Sequence, residues 1–280
     1  FIEMIYLVFP TSWHPSQPYL SLPSLKAFLN MHGVHDVVQR DLAIELLNDL
    51  CTWEKTKPLY ERIIRELNEL SALPRLNQVQ AEKYNKLQEA EEIVMALKDQ
   101  IDSAVASQRS QEFYDIEQYM ENLKIMDVWL DNILAPYYPS QLTVIGSQMR
   151  FSPYSSLEVI ESFNHPEENF FYDLYQQWYL PGILAEDIDI LGISITSVEQ
   201  IISGLTLAYL VKKNRPEIHI TIGGSVFTKL VDRLEKEGSH LFNFVDSFVV
   251  HEGETPLLRL VEHLRGDGDL SKVPNLVYRQ

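Results

Sequence analysis

Apolar residues along this chain form short continuous runs that alternate with longer stretches of helical spacing. Three runs of strand length lie close together, at Ile188–Ile195, Ile218–Ile222 and Phe244–Val250, and a fourth, Ile2–Phe9, opens the chain. Continuous β-branched runs suit strands that are buried on both faces. The pattern therefore predicts an α/β fold with a doubly wound parallel sheet.

Two further segments complete the predicted sheet. A helix is expected from Ser24 to Gly33, where glycine suits a helix end, and Val34–Arg40 follows it as the second strand. The closing segment Val273–Arg279 is predicted to form a sixth short strand.

The segment 42–185 stands where a short crossover would be expected between two parallel strands. Apolar residues step by three and four along Tyr60–Leu70, Leu87–Ala104 and Phe113–Ile133, which predicts helices, the first two paired as an antiparallel hairpin. We therefore divide the chain into a discontinuous α/β domain, 1–41 and 186–280, and a mostly helical insertion, 42–185.

Small and turn-forming residues follow each buried run, at Ser194–Thr196, Gly223–Ser225 and Glu252–Glu254. In open α/β sheets the ligand binds at the carboxyl edge of the strands, where such loops meet. Each loop also has a purely structural interpretation as a turn or a helix cap. Their coincidence on one edge is what predicts a binding site.

The same loops carry helix-start signals. Thr196–Glu199 has the sequence of a capping box, Ser225 is expected to cap the next helix, and Thr255 is expected to cap a helix whose first residue is Pro256.

The loop after the first strand, Pro10–Pro23, contains four prolines and several aromatic residues. Prolines restrict the backbone and remove hydrogen-bond donors, which suits a stiff wall beside a bulky ligand. The chain has no Gly-x-Gly-x-x-Gly after its first strand and no Walker sequence, so a dinucleotide or a nucleoside triphosphate is disfavoured.

The charge and the cysteine content exclude several kinds of partner and of binding site. With 23 basic and 40 acidic residues the formal net charge is −17, which disfavours nucleic acid and anionic membranes as partners. The single cysteine, Cys51, excludes an internal disulfide and a cysteine-ligated zinc or iron–sulfur site within these residues. We expect a cytoplasmic protein without a membrane span or signal peptide, and, since residue 1 is Phe, a segment of a longer chain.

Several of these segments, taken together and in order, resemble the N-terminal cobalamin-binding domain of cobalamin-dependent radical S-adenosylmethionine enzymes. They are L-S-L-P-S-L-K-A-F-L after the opening strand, D-I-L-G-I-S-I-T, I-G-G, V-V-H-E-G-E-T-P-L-L and V-P-N-L-V-Y-R. The resemblance implies a flavodoxin-like sheet with the corrin on its carboxyl edge and the nucleotide tail threaded into the fold. It implies these cofactor contacts: Tyr19, Leu20, Ser21, Ser194, Thr196, Gly223, Gly224, Glu252, Gly253 and Glu254.

The chain departs from that family in two ways. It lacks the Cys-x-x-x-Cys-x-x-Cys that holds an iron–sulfur cluster, so the cluster and S-adenosylmethionine are expected only in a downstream barrel in cis. We therefore expect a cobalamin-binding segment of a methyltransferase that is not catalytic by itself. Methionine-synthase-like domains carry Asp-x-His-x-x-Gly after the first strand, whereas Ser12, His14 and Gln17 stand here, so cobalt ligation by His14 is not expected and no other metal ligand is proposed.

Two other functions stay open from the sequence. The acidic helical insertion could be the functional surface of a protein-interaction module, with the sheet as scaffold, or the sheet edge could bind a ligand smaller than cobalamin. Because the predicted hairpin pairs its own apolar stripes, a monomer is expected.

Overall fold

The computed structural model describes residues 4–279, without the side chains of Glu235 and Glu237. Ile2 and Glu3, which belong to the predicted first strand, lie outside the described residues. The chain forms two compact units. The first contains the chain up to Ala43, Phe151–Asn164 and the chain from Phe171 onward, and the second contains Ile44–Arg150 and His165–Phe170. Residues 151–164 and 171–185, assigned to the insertion from sequence, thus belong to the first unit.

The strands that the structure describes are, in chain order, β1 Met4–Phe9, β2 Val37–Asp41, β3 Gln141–Leu142, β4 Ser147–Gln148, β5 Ile188–Ser194, β6 His219–Gly223, β7 Ser247–Val249 and β8 Leu276–Tyr278. The α-helices of the same residues are α1 Ser21–Met31, α2 Leu42–Leu50, α3 Trp53–Ser71, α4 Gln78–Leu97, α5 Ile101–Ser107, α6 Ile116–Ile133, α7 Ser156–Ser162, α8 Phe170–Leu174, α9 Leu180–Leu184, α10 Gln200–Asn214, α11 Ser225–Lys229, α12 Val231–Glu237 and α13 Glu254–Leu264. A π-helical turn, Tyr175–Tyr179, connects α8 to α9.

The first unit contains a six-stranded sheet of order β2-β1-β5-β6-β7-β8. Its first five strands are parallel, and their order is compatible with the flavodoxin-like arrangement. The α/β class and a mostly parallel sheet are therefore confirmed. β8 is antiparallel to β7, because residues 265–275 return to the carboxyl edge after α13 and the strand enters from that end.

Helices cover both faces of this sheet. On one face, Leu22 and Leu29 of α1 and Leu257 and Val261 of α13 pack in one core with apolar residues of β1. On the other face, a β-carbon on Gly204 of α10 would lie 2.5 Å from Cδ1 of Ile195, so the absence of a side chain lets this helix approach the end of β5.

The second unit has a helical core. Leu59 and Ile63 of α3 are buried, as are Leu87, Ala90 and Val94 of α4 and Met126, Trp129, Leu130 and Ile133 of α6. The predicted second helical stretch is interrupted at 98–100, so that α5 begins at Ile101. Trp129 donates its indole N–H to the carbonyl of Leu50 at 2.6 Å, which satisfies the polar atom of a fully buried side chain.

Several predicted helix starts are wrong. α1 begins at Ser21 rather than Ser24, with Pro23 in its first turn, where proline costs no hydrogen bond. α10 begins at Gln200 and its N-cap, Glu199, makes no side-chain cap. The backbone N–H groups of Thr196 and Ser197 donate instead to the side-chain oxygen of Gln200, which replaces the predicted capping box.

The other two predicted caps are also displaced. Ser225 is the first residue of α11, after Gly224, and its hydroxyl donates to the carbonyl of Thr196. α13 begins at Glu254 after Gly253, so Thr255 and Pro256 lie inside its first turn. Among residues 4–279, none of the helices combines the length and apolarity needed to cross a bilayer.

Candidate functional site

A cleft of about 800 Å³ opens at the carboxyl edge of the sheet in the first unit. Strands β5 and β6 form its floor, and α1 and α13 contribute residues on its sides. These are central strands of the parallel sheet, and the loops that follow them border the opening. The cleft therefore occupies the position at which open α/β sheets bind ligands.

The floor of the cleft is poor in side chains. Gly192 pairs in register with Thr221, and Ser194 pairs with Gly223 two residues closer to the carboxyl edge. All four residues line the cleft. Because they are two residues apart along each strand, the cleft reaches about 7 Å down the sheet face from the strand ends.

The two adjacent glycines have different roles. Gly224 has φ +110°, and a β-carbon there would lie 2.0 Å from the carbonyl oxygen of Ile195, so the chain's own backbone requires glycine. A β-carbon on Gly223 would meet its nearest neighbour, Val249, at an ordinary 3.9 Å. Nothing in the fold excludes a side chain at Gly223, so the space above it is available to a ligand.

The loop after β1 is held rigidly at its start. Gln200 donates its side-chain N–H to the carbonyl of Pro10 at 2.9 Å, and Ser203 donates its hydroxyl to the carbonyl of Thr11 at 3.1 Å. The hydroxyls of Thr11 and Tyr175 are 3.0 Å apart, and burial raises the pKa of Tyr175 to about 12. Tyr175 thus stays a neutral hydrogen-bond partner at physiological pH.

An aromatic cluster supports the rest of this loop. The ring of Tyr19 stacks on Phe9 at 5.5 Å and meets Trp13 edge to face at the same centroid distance. Tyr19 is 38% exposed and Leu20 is 70% exposed, and both line the cleft. The hydroxyl of Ser194 donates to that of Ser21 at 3.0 Å, which joins the end of β5 to the start of α1.

The loop after β7 forms the opposite margin. His251, Glu252, Gly253 and Glu254 all line the cleft. His251 has φ +61°, and its backbone N–H donates to the hydroxyl of Thr228 at 2.7 Å. Glu254 is in the first turn of α13, where a carboxylate is favoured by the helix dipole.

Nine of the ten contacts implied by the resemblance line this cleft, and Thr196 does not. The hydroxyl of Thr196 donates to the side-chain oxygen of Gln200 at 3.0 Å, so Thr196 has a structural role instead. His14 is also outside the lining, and its Nδ1 accepts from the backbone N–H of Ser16 at 3.2 Å.

Sequence reasoning missed several residues of the cleft, namely Leu7, Gly192, Thr221, Thr228, Lys229 and His251. Three of them lie inside the apolar runs. Strand alternation could have found Gly192 and Thr221, because each lies two residues before a predicted contact and faces the same side of the sheet.

A polar network lies beside the floor, on strands β6 and β7. Ser247 donates its hydroxyl to that of Thr221 at 2.9 Å, and Nε2 of His219 is 2.9 Å from the same Ser247 oxygen. Burial, together with the positive charge of Lys212 and the neighbouring His263, lowers the pKa of His219 to about 4 in spite of Asp246, which acts in the opposite direction. The imidazole is therefore neutral at physiological pH.

Two features of the second unit bear on metal chemistry. His165, Glu167 and Glu168 bring one ligand atom each within 4.8 Å of one another, but Glu168 already pairs with the guanidinium of Arg150. Cys51 is fully buried, and burial raises the pKa of its thiol, as do Asp127 and Asp102. A buried neutral thiol is neither a nucleophile nor a thiolate ligand.

Comparison of the chain with models of known protein families, with curated proteins and with solved structures gives no match.

Proposed function

We propose that the first unit is a flavodoxin-like cobalamin-binding domain, that the helical second unit is an insertion into it, and that the chain is a segment of a cobalamin-dependent radical S-adenosylmethionine methyltransferase. The observation that supports this proposal most directly is the cleft, which is open at the carboxyl edge and continues down the sheet face over Gly192 and Thr221. The resemblance in sequence implies a ligand of that form, with a broad ring at the edge and a tail inside the fold.

The residues present fit such a group. Gly223 leaves space that no part of the chain needs, and the hydroxyl-bearing residues Ser194 and Thr221 line the same cleft. The volume of about 800 Å³ is in the upper range of pockets that hold large organic ligands. Hydroxyl groups and glycines are suited to a neutral polar ligand that lies against backbone.

Each margin of the cleft would have its own role in holding the cofactor. The exposed apolar surfaces of Tyr19 and Leu20 would pack against the macrocycle, supported by Phe9 and Trp13. The loop Glu252–Glu254 would lie at the opposite margin, close to polar groups of the ring periphery.

A bound corrinoid would supply a cobalt centre able to carry a methyl group. The chain's own residues would bind and orient that group at the sheet edge. The iron–sulfur cluster and S-adenosylmethionine would belong to a barrel in cis, because the chain has one cysteine and that residue is buried.

The test is direct binding of hydroxocobalamin. The purified chain is incubated with hydroxocobalamin at micromolar concentration and passed through a desalting column, and the absorbance spectrum of the protein fraction is recorded. Co-elution of corrin absorbance at one equivalent is expected. A protein fraction with no corrin absorbance would overturn the proposal and favour the interaction-module function.

A matched pair of glycine variants locates the site. Gly223→Leu puts a side chain into the cleft and is expected to abolish binding, whereas Gly182→Leu adds the same side chain at an exposed position with nothing within 4 Å. Equal corrinoid binding by the two variants, with both folded, would mean that the cofactor binds elsewhere.

A further inference from the structure

Three side chains at and beside the floor of the cleft are joined by hydrogen bonds. Thr221 lines the cleft, Ser247 lies beside it on β7, and His219 lies two residues earlier on β6. The two oxygen atoms are 2.9 Å apart, as are the Ser247 oxygen and Nε2 of His219. Thr221 and Ser247 are buried, so each partner is fixed by the protein rather than by solvent.

The other donor and acceptor roles in this network follow from the hydrogen bond that Ser247 donates to Thr221. Ser247 has one hydroxyl proton and donates it to Thr221. Its oxygen must then accept from His219, so the neutral imidazole carries its proton on Nε2. The hydroxyl proton of Thr221 is left to donate, and among the described residues none accepts it.

We infer that Thr221 donates a hydrogen bond to an acceptor atom of the nucleotide portion of the cofactor, and that His219, acting through Ser247, is a positioning residue that fixes this direction. This inference rests on the proposed function. The floor lies about 7 Å below the strand ends, so a group that meets Thr221 must extend below the ring.

The position of Gly192 supports this assignment. Gly192 is the register partner of Thr221, and a β-carbon there would lie 2.8 Å from Cδ2 of Leu7 and 3.9 Å from Cγ2 of Thr221. At Gly192 the floor is therefore flanked by Cδ2 of Leu7 and by the methyl group of Thr221, while the Thr221 hydroxyl lies on the β7 side, next to Ser247. A flat group over Gly192 with an acceptor at its β7 edge would contact both apolar groups and reach that hydroxyl.

The test compares two corrinoids. Hydroxocobalamin has the nucleotide, and cobinamide is the same macrocycle without it. Dissociation constants of both are measured by absorbance titration for the unaltered chain, Thr221→Val, Thr221→Ser and Ser247→Ala. Thr206→Val is the matched control, because Thr206 is buried in α10 and its hydroxyl donates to the carbonyl of Ile202.

Loss of one neutral hydrogen bond is expected to weaken hydroxocobalamin binding by Thr221→Val about tenfold and to leave cobinamide binding unchanged. Thr221→Ser should restore binding, and Ser247→Ala should give a smaller loss that is also confined to hydroxocobalamin. Thr206→Val should change neither constant.

The outcomes separate the two proposals. If the unaltered chain binds neither corrinoid, the proposed function fails. If it binds hydroxocobalamin but Thr221→Val binds as tightly, or loses both corrinoids equally while folded, the inference about Thr221 is overturned and the proposed function stands. Circular dichroism of each variant confirms that a lost affinity is not a lost fold.

Discussion

The carbonyl oxygen of Ile195 is so close to Gly224 that a β-carbon on Gly224 would lie only 2.0 Å from it. Two loops at the carboxyl edge therefore touch through their backbones, the loop after β5 and the turn after β6. The hydroxyl of Ser225, which donates to the carbonyl of Thr196, connects the same two loops. This contact, rather than ligand access, explains why glycine is required at position 224.

Replacement of the two adjacent glycines should have very different consequences for stability. Gly224→Ala combines a backbone clash with φ +110° and is expected to lower the free energy of unfolding by at least about 2 kcal/mol. Gly223→Ala meets no atom closer than 3.9 Å and should change it by less than about 0.5 kcal/mol. Urea unfolding of both variants measures the difference, and equal midpoints would contradict the backbone contact.

Gln200 is expected to be the most sensitive polar residue of the sheet edge. Its fully buried side chain bonds to the carbonyl of Pro10 and to the N–H groups of Thr196 and Ser197. Gln200→Ala leaves these groups unpaired, which should cost about 2 to 4 kcal/mol.

The control for that experiment is Gln176→Ala, since Gln176 is exposed. Thermal unfolding should show a clear loss for the first variant and almost none for the second. A stable Gln200→Ala protein would mean that water replaces the side chain without cost.

Stability should depend on pH through His219. The folded-state pKa is about 4, against an ordinary value of 6.5, so between these values the unfolded chain binds a proton that the folded chain does not. The stability that neutral His219 contributes is therefore fully present above pH 6.5 and is lost as the pH drops toward 4. At about 1.4 kcal/mol per pKa unit, the loss approaches 3 kcal/mol.

A variant that cannot titrate tests this contribution. The groups that face His219 are Asp246, Lys212 and His263, and all of them remain in His219→Gln. Urea unfolding across the acid range should show a shallower decline for His219→Gln than for the unaltered chain. His35→Gln, at an exposed histidine, should follow the unaltered chain, and parallel curves for all three would refute the assignment.

Cobalt bound by this chain is expected to lack His14 beneath it. Nδ1 of His14 accepts from Ser16, and the residue is outside the cleft lining. The electron paramagnetic resonance spectrum of the cobalt(II) form should be the same for the unaltered protein and His14→Ala. A three-line nitrogen splitting that disappears in His14→Ala would identify His14 as the ligand.

The sequence by itself determined the class of the fold and the edge that carries the cleft. β1, β5, β6 and β7 are recognisable because strands covered by helices on both faces have no solvated side and read as unbroken apolar runs. Parallel strands end at one edge, so the loops after them had to meet, and nine of the ten contacts that the resemblance implies line one cleft there.

Only the tertiary structure decided how deep the cleft is and which groups hold the loops. Gly192 and Thr221 stand inside apolar runs, and only the register between β5 and β6 places them together below the strand ends. The predicted caps failed because a backbone N–H bonds to whichever acceptor the fold brings near, and for Thr196 and Ser197 that acceptor is the side chain of Gln200. The glycine pair looked equivalent in sequence, and the approach of Ile195 distinguished them, since a distance between loops far apart in the chain is not encoded in either loop alone.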